Sequence, residues 1–211
     1  MRLDLTPDGL LTAYANGAFP MADDDGRIQW LSPDPRGIIE LDRLRVSRSL
    51  RSLVRRKVFD VTVDRCFDEV IRTCGNRNEG TWISDAIVEA YTRLHKLGFA
   101  HSVETWHEGI LAGGLYGVAI GGAFFGESMF HRVSNASKVA LVKLVERMRD
   151  RGFVLLDVQF TTEHLFRLGM EEIPAAEYLE RLRRAIRLPC TFVEGNEQHP
   201  PFRIQWESNP T

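Results

Sequence analysis

Two spacings of apolar residues alternate along the chain: every second position, which marks a strand, and every third or fourth, which marks a helix. Near the start Thr6 supplies a cap, Pro7 a first helical position, Leu10, Leu11 and Tyr14 an apolar side and Gly17 a stop. Short strands are predicted at Ile28–Leu31 and Ile38–Leu41, divided by Ser32-Pro33-Asp34-Pro35-Arg36, where the prolines forbid regular pairing. A helix after Ser47 turns Leu50, Leu53 and Val54 inward, and Phe59, Val61 and Val63 alternate as a strand. Two helical faces follow, Phe67, Val70, Ile71 and Cys74 ending at Gly75, then Ile87, Val88, Tyr91 and Leu94 from a Ser84 cap to Gly98. Between them, 76–80 reads as a polar loop.

From Ala100 to Ile120 the pattern is a hairpin turning at Glu108-Gly109, followed by a strand at Ala123–Phe130. Leu141, Leu144, Val145 and Met148 form the stripe of a helix over Asn135–Arg151, capped by Ser134 or Asn135 and stopped at Gly152. A strand is predicted at Phe153–Phe160. Thr161 or Thr162 then starts a short helix ending at Gly169, and Pro174 opens a last one with Tyr178, Leu179, Leu182 and Ile186 inward. The tripled acid Asp23-Asp24-Asp25 before Gly26 lacks the ligand spacing of a calcium loop and reads as a solvated hairpin tip.

Composition narrows the class. At 211 residues the chain is long enough for a substantial core. It has no apolar run of membrane-spanning length and no secretory leader pattern, which predicts a cytoplasmic protein without a membrane partner. Cys66, Cys74 and Cys190 are odd in number and lack metal-type spacing, so neither a disulfide framework nor a metal site is expected. The net charge of −2 gives no sign of a nucleic-acid binder, but the distribution does. Arg43, Arg45, Arg48, Arg51, Arg55, Arg56 and Lys57 crowd one stretch with little compensating acid, which suits a phosphate backbone positioned without sequence readout.

Candidate chemistry gathers near the end of the Ala123–Phe130 strand. Strict alternation puts Phe125, Glu127 and Met129 on one face and Phe124, Gly126, Ser128 and Phe130 on the other. A carboxylate between a ring and a thioether is costly to bury without a positive or hydrogen-bonding partner, and a ligand can be that partner. In FVLLDVQF, Asp157 and Gln159 share a face about 6.5 to 7 Å apart, close enough to act on one group. The plainer alternatives are a hydrogen-bonded pair at a sheet end for Asp157 and Gln159, and a structural salt bridge for Glu127.

The stretches FFGESMF, NASK, LLDVQ, WLSPDPRG, GTWIS and AYTRLHKLGFAHSVE, spanning about Leu10 to Leu182, resemble the leucyl/phenylalanyl-tRNA–protein transferase family. The resemblance implies an α+β fold: a small N-terminal domain (1–63), a GNAT-like (acetyltransferase-like) mixed sheet flanked by helices (64–188), and a tail (189–211). Strand, strand, strand, helix, strand is the order such a sheet requires. The implied activity moves Leu or Phe, with Met also open, from aminoacyl-tRNA to the N-terminal amine of proteins beginning with Arg or Lys, marking them for N-degron degradation, with no cofactor.

Under that resemblance Trp30, Trp106, Leu115, Phe124, Phe125, Ser128 and Met129 form the aminoacyl pocket, and the Arg43–Lys57 stretch binds tRNA. Glu127 holds the donor's amino group or terminal adenosine, Asp157 draws in the acceptor amine, and Gln159 hydrogen-bonds the nucleophile. Two positions depart from the family pattern, Met21 in place of a usual Trp and Leu115 in place of a common Met. The competing classes are a small-molecule GNAT N-acetyltransferase and a non-catalytic module that binds the tRNA end. The acetyltransferase is disfavoured because Asn135 and Ser137 stand where its phosphate-binding loop needs small residues.

Overall fold

The computed structural model describes residues 4–76 and 80–194. Most of the expected 76–80 loop and of the 189–211 tail therefore lies outside the described residues.

The chain opens with helix α1 (Pro7–Ala15), whose Thr6 side chain accepts from the Gly9 amide, and the hairpin β1 (Phe19–Ala22) and β2 (Ile28–Leu31). Next come β3 (Arg36–Ile39), α2 (Arg48–Arg55), β4 (Asp60–Val63), α3 (Phe67–Gly75) and α4 (Asp85–Lys96). The long hairpin β5 (Ala100–His107) and β6 (Ile110–Ile120) turns at Glu108 and Gly109, both at positive φ as a tight two-residue hairpin requires. β7 (Ala123–His131), α5 (Ala136–Asp150) and β8 (Leu155–Gln159) follow, then α6 (Glu163–Arg167), β9 (Met170–Ile173) and α7 (Ala175–Ala185).

Seven strands form one sheet in the order β4-β5-β6-β7-β8-β3-β9. Every neighbouring pair is antiparallel except β7 and β8, which run parallel because α5 carries the chain across between them. This is the expected α+β mixed sheet, and β5, β6, β7, α5 and β8 follow in the predicted order of three strands, a helix and a strand. β3 and β4, both ahead of the expected boundary at residue 63, are hydrogen-bonded into this sheet. What lies outside it at the N-terminus is α1 with the β1–β2 hairpin, and even these share a core with the sheet through Leu10, Leu11, Tyr14 and Phe19. No helix of the described residues is long and apolar enough to cross a membrane.

The alternation of strand side chains divides the core between two faces. On one face Tyr116, Val118, Ala123 and Phe125 pack with residues of α1, α3, α4 and α7. On the other, Leu115, Ala119, Phe124 and Leu156 pack against Leu141, Leu144, Val145 and Met148, the predicted stripe of α5. A smaller cluster seats α2 through Leu50 against Phe59, Val139 and Val142.

The sheet register shifts between β5 and β6, between β3 and β8, and between β6 and β7, and the site lies at the last of these. β7 pairs with β6 as Leu115↔Met129 and Tyr116↔Ser128, then jumps to Gly117↔Gly126, leaving Glu127 as the extra residue of a β-bulge. Such a bulge shifts every later side chain to the opposite face. Met129 accordingly packs with the α5 core and Phe130 with the other one, so Phe125, Glu127 and Met129 do not share a face as strict alternation predicts.

Candidate functional site

β7 and β8 are hydrogen-bonded only over Ala123↔Leu155, Phe124↔Leu156 and Phe125↔Asp157. Beyond these pairs a cavity of about 410 Å³ lies beside the two strands, a size typical of small-ligand pockets. One end is apolar, lined by Leu115, Met129, Leu141, Leu144, Leu156 and Val158. The other carries Met21, Trp82, Phe160, Thr162 and His164, and Glu127, Ser128 and Gln159 supply polar groups.

The bulge at Glu127 sends its carboxylate toward α1 and α4. Oε1 accepts from the Tyr14 hydroxyl at 2.7 Å and from Gln159 Nε2 at 2.7 Å, and Oε2 accepts from the Tyr91 hydroxyl at 3.2 Å. The two phenols also meet each other, and since each has a single O–H, Tyr91 donates either to Tyr14 or, over the longer distance, to Oε2. A carboxylate offers about four lone-pair positions, so at least one is left open on Oε2. Glu127 is half-buried in largely apolar surroundings, which penalise its charge. This burial, with the nearby Asp157 carboxylate and against the Tyr14, Tyr91 and Gln159 hydrogen bonds, pushes its pKa up to about 7. Burial, and then the Glu127 charge, raise Tyr14 and Tyr91 well above the ordinary phenol range, so both remain donors at neutral pH.

Asp157 is fully buried and saturated. The Arg36 guanidinium grips it with two bonds, Nε to Oδ1 at 2.9 Å and Nη2 to Oδ2 at 2.6 Å. The Tyr178 hydroxyl donates to Oδ2 at 2.7 Å and the Gln159 backbone N–H to Oδ1 at 2.9 Å. Arg36 is 1% exposed, gives Nη1 to the Gly17 carbonyl and lies between the rings of Phe19 and Tyr178. Burial works against its charge, but Asp157 outweighs that and raises the Arg36 pKa further. Gln159 closes the strand with φ 64, a left-handed conformation uncommon for a side-chain-bearing residue. That turn lets its N–H reach Asp157 while its side chain reaches Glu127.

The structure therefore joins Glu127, Asp157 and Gln159 in one network, with Asp157 placed out of reach of the role expected of it. Asp157 has no free acceptor position and no exposed surface with which to meet an incoming amine. Its contact with Gln159 is the hydrogen-bonded pair at a sheet end, and the salt bridge falls to Asp157 rather than to Glu127. Of the expected pocket residues, Leu115, Ser128 and Met129 line the cavity. Phe124 is sealed in the α5 core beside Phe192, and Phe125 is sealed beside Tyr14, each 0% exposed. Trp30 packs in the β1–β2 hairpin against the core. Trp106 donates to the Thr62 hydroxyl at 2.7 Å, with the Arg65 guanidinium over its ring. None of these four lines the cavity.

The sequence reading passed over Arg36, Tyr14, Tyr91 and Tyr178 because each falls inside a turn or an apolar helical stripe. The available signal was the hydroxyl: a tyrosine facing inward needs a hydrogen-bond partner where a phenylalanine does not. The seven basic residues from Arg43 to Lys57 are all exposed, and among the described residues none pairs with a carboxylate.

Residues 38–183 match the family model described as leucyl/phenylalanyl-tRNA protein transferase, and residues 3–34 match that of its N-terminal domain. A leucyl/phenylalanyl-tRNA–protein transferase of Salinibacter ruber is 56% identical over 87% of this chain and 81% of its own length. One of Gloeobacter violaceus is 52% identical over 91% of this chain and 100% of its own. Among solved structures, a GCN5-related N-acetyltransferase-like protein from Streptococcus suis aligns with TM-score 0.38 and 17% identity, over 76% of this chain and 61% of that one.

Proposed function

The chain belongs to the leucyl/phenylalanyl-tRNA protein transferase family, and from that premise we propose how its cavity moves an aminoacyl group from tRNA to a protein's N-terminal amine. The carrying observation is the open lone pair of Glu127 Oε2, held beside an apolar hole. A donor ester presents that combination in reverse: an apolar side chain and, one carbon away, an ammonium.

The side chain of Leu or Phe enters the apolar end, against Leu115, Met129, Leu141 and Leu144. Its ammonium meets Glu127, and the carbonyl carbon is thereby fixed near Gln159. Gln159 has given its NH2 to Glu127 and so offers its carbonyl to an N–H of the attacking amine. In the reaction the amine nitrogen bonds to the ester carbon and the C–O bond to the ribose breaks. One proton passes from the amine to the departing ribose oxygen. An amide is too weak a base to take that proton outright, so Gln159 orients the nucleophile. An α-amine with a pKa near 8 already supplies a usable neutral fraction. Orientation and exclusion of water are then the main demands on the protein.

Asp157 and Arg36 are positioning residues in this scheme, holding the left-handed turn that aims Gln159. Acceptors beginning with Arg or Lys and the exposed Arg43–Lys57 stretch as the tRNA contact complete the proposal. Incubating the protein with labelled Leu-tRNA or Phe-tRNA and a peptide beginning with Arg tests it. Label is expected in the peptide, and Gln159→Ala is expected to depress kcat while leaving donor binding nearly intact. Label retained on tRNA with wild-type protein, or consumption of acetyl-CoA in its place, overturns the reading.

A further inference from the structure

A second cavity, of about 330 Å³, lies on the far side of the 160–162 segment and α6 from the first. Thr161 and Phe166 line it where their neighbours Phe160, Thr162 and Leu165 line the aminoacyl cavity. Across from Phe166 stand Arg43 and Arg45. They are brought there by Gly169, at φ 97, where a Cβ would come within 2.7 Å of the Arg43 carbonyl oxygen. The Arg45 N–H also donates to the Leu168 carbonyl at 2.9 Å.

The aromatic ring here is open to solvent. Phe166 is 58% accessible, although a large apolar side chain gains by being covered. It projects from a short helix into a cavity that also holds two exposed guanidinium groups. A flat apolar surface next to cations is the pairing that binds single-stranded nucleic acid, with a base on the ring and phosphate on the cations. Resting on the reading above, we propose that Phe166, Arg43 and Arg45 form a subsite for an unpaired nucleotide preceding the terminal nucleoside of the aminoacyl-tRNA.

Chain continuity favours RNA over the acceptor protein. The same basic stretch runs on from Arg45 into α2, so one phosphate backbone would follow it from the helix to the cavity. Glu171 and Glu172 border the cavity on its β9 side, so its lining has no net charge, and a phosphate is placed on the Arg43 and Arg45 side, next to α2.

The test compares two donors and one binding probe on the full-length protein: aminoacyl-tRNA, aminoacyl-adenosine, which lacks the preceding nucleotides, and a tRNA shortened by its unpaired 3′ end, used for binding alone. Phe166→Ala is expected to weaken full-length tRNA binding by about tenfold or more, the loss of one stacked base. It should leave turnover of aminoacyl-adenosine and binding of the shortened tRNA unchanged, with Phe166→Trp restoring affinity. Arg43→Ser with Arg45→Ser should weaken full-length tRNA binding with a flatter dependence on salt, and an unaltered salt slope would remove the two arginines from the subsite. Equal losses with aminoacyl-adenosine, or a raised KM for the acceptor peptide at constant tRNA affinity, would overturn the assignment, the latter in favour of the acceptor protein. Failure of the wild-type protein to transfer label from any donor would refute the reaction itself rather than the subsite.

Discussion

Neutralising the carboxylate at the centre of the cavity, by Glu127→Gln, should change the dependence of stability on pH in a direction fixed by the structure. Glu127 carries a folded-state pKa of about 7 against an ordinary value of 4.5, with burial the largest cause. Below about pH 4.5 both folded and unfolded forms hold the proton and the group is neutral to stability. Between there and pH 7 the folded form binds more proton than the unfolded one, so stability falls as pH rises, and it levels off above 7. At roughly 1.4 kcal/mol per unit, wild type loses about 2 to 3 kcal/mol from this group between pH 5 and 8. The amide cannot titrate, so the variant lacks this loss. Urea unfolding of both proteins at pH 5 and 8 measures it. The difference in unfolding free energy, variant minus wild type, should rise by that amount with pH. The absolute effect of fitting an amide among two phenols and Gln159 cancels in the comparison. A difference constant across the two pH values would show that Glu127 ionises as freely as an exposed carboxylate, and the argument for a strained anion awaiting a cation would fall.

Removing one partner of the buried ion pair, as in Asp157→Ala, leaves Arg36 charged and unpaired and should cost about 3 to 5 kcal/mol by urea unfolding. Arg36→Met with Asp157→Leu should recover much of that loss, yet transfer activity should stay low because nothing then holds the Gln159 N–H; full activity in the double variant would remove the pair from the mechanism. Replacing Arg48, Arg51 and Arg55 with Ser should weaken tRNA binding and lower the slope of log affinity against log salt by about 2 to 3, whereas an unaltered slope would show that α2 faces away from the RNA.

Most elements were legible because burial in them follows a regular period. The α5 stripe, the Ser47 and Ser84 caps and the hairpin at Glu108-Gly109 all lie where the pattern puts them. Strand β9 was missed because Met170–Ile173 is a short edge strand with Glu171 and Glu172 in its middle, so its pairing with β3 leaves little apolar signature. Leu141 and Leu144 read as plain core because a helical stripe looks the same whether it meets a sheet or a cavity. The largest misreading came from the bulge. One extra residue at Glu127 moved Met129 to the other face, and no periodic rule detects a single insertion. Arg36 was hidden differently, in a proline-bounded turn whose partner, Asp157, is 121 residues away in sequence.

These exceptions to regularity share a location. The bulge at Glu127, the left-handed Gln159 and the buried Arg36–Asp157 pair each disfavour folding locally, and each borders the same gap between β7 and β8. A buried ion pair is on average no better for stability than well-packed apolar residues, so stability alone does not account for it. Its geometric effect is definite. Arg36 fixes Asp157 by two bonds, Asp157 fixes the Gln159 backbone, and Gln159 and the two phenols fix Glu127. The chain of bonds ends on an oxygen with one lone pair left, at the edge of a hole suited to a leucine or phenylalanine side chain. Aminolysis of an ester that is already activated needs little acid or base strength but depends steeply on where the nucleophile stands. A rigid relay of fixed bonds meets that demand better than a single exposed carboxylate would, and in the proposed reaction the most deeply buried member of the network, Asp157, would act without touching substrate.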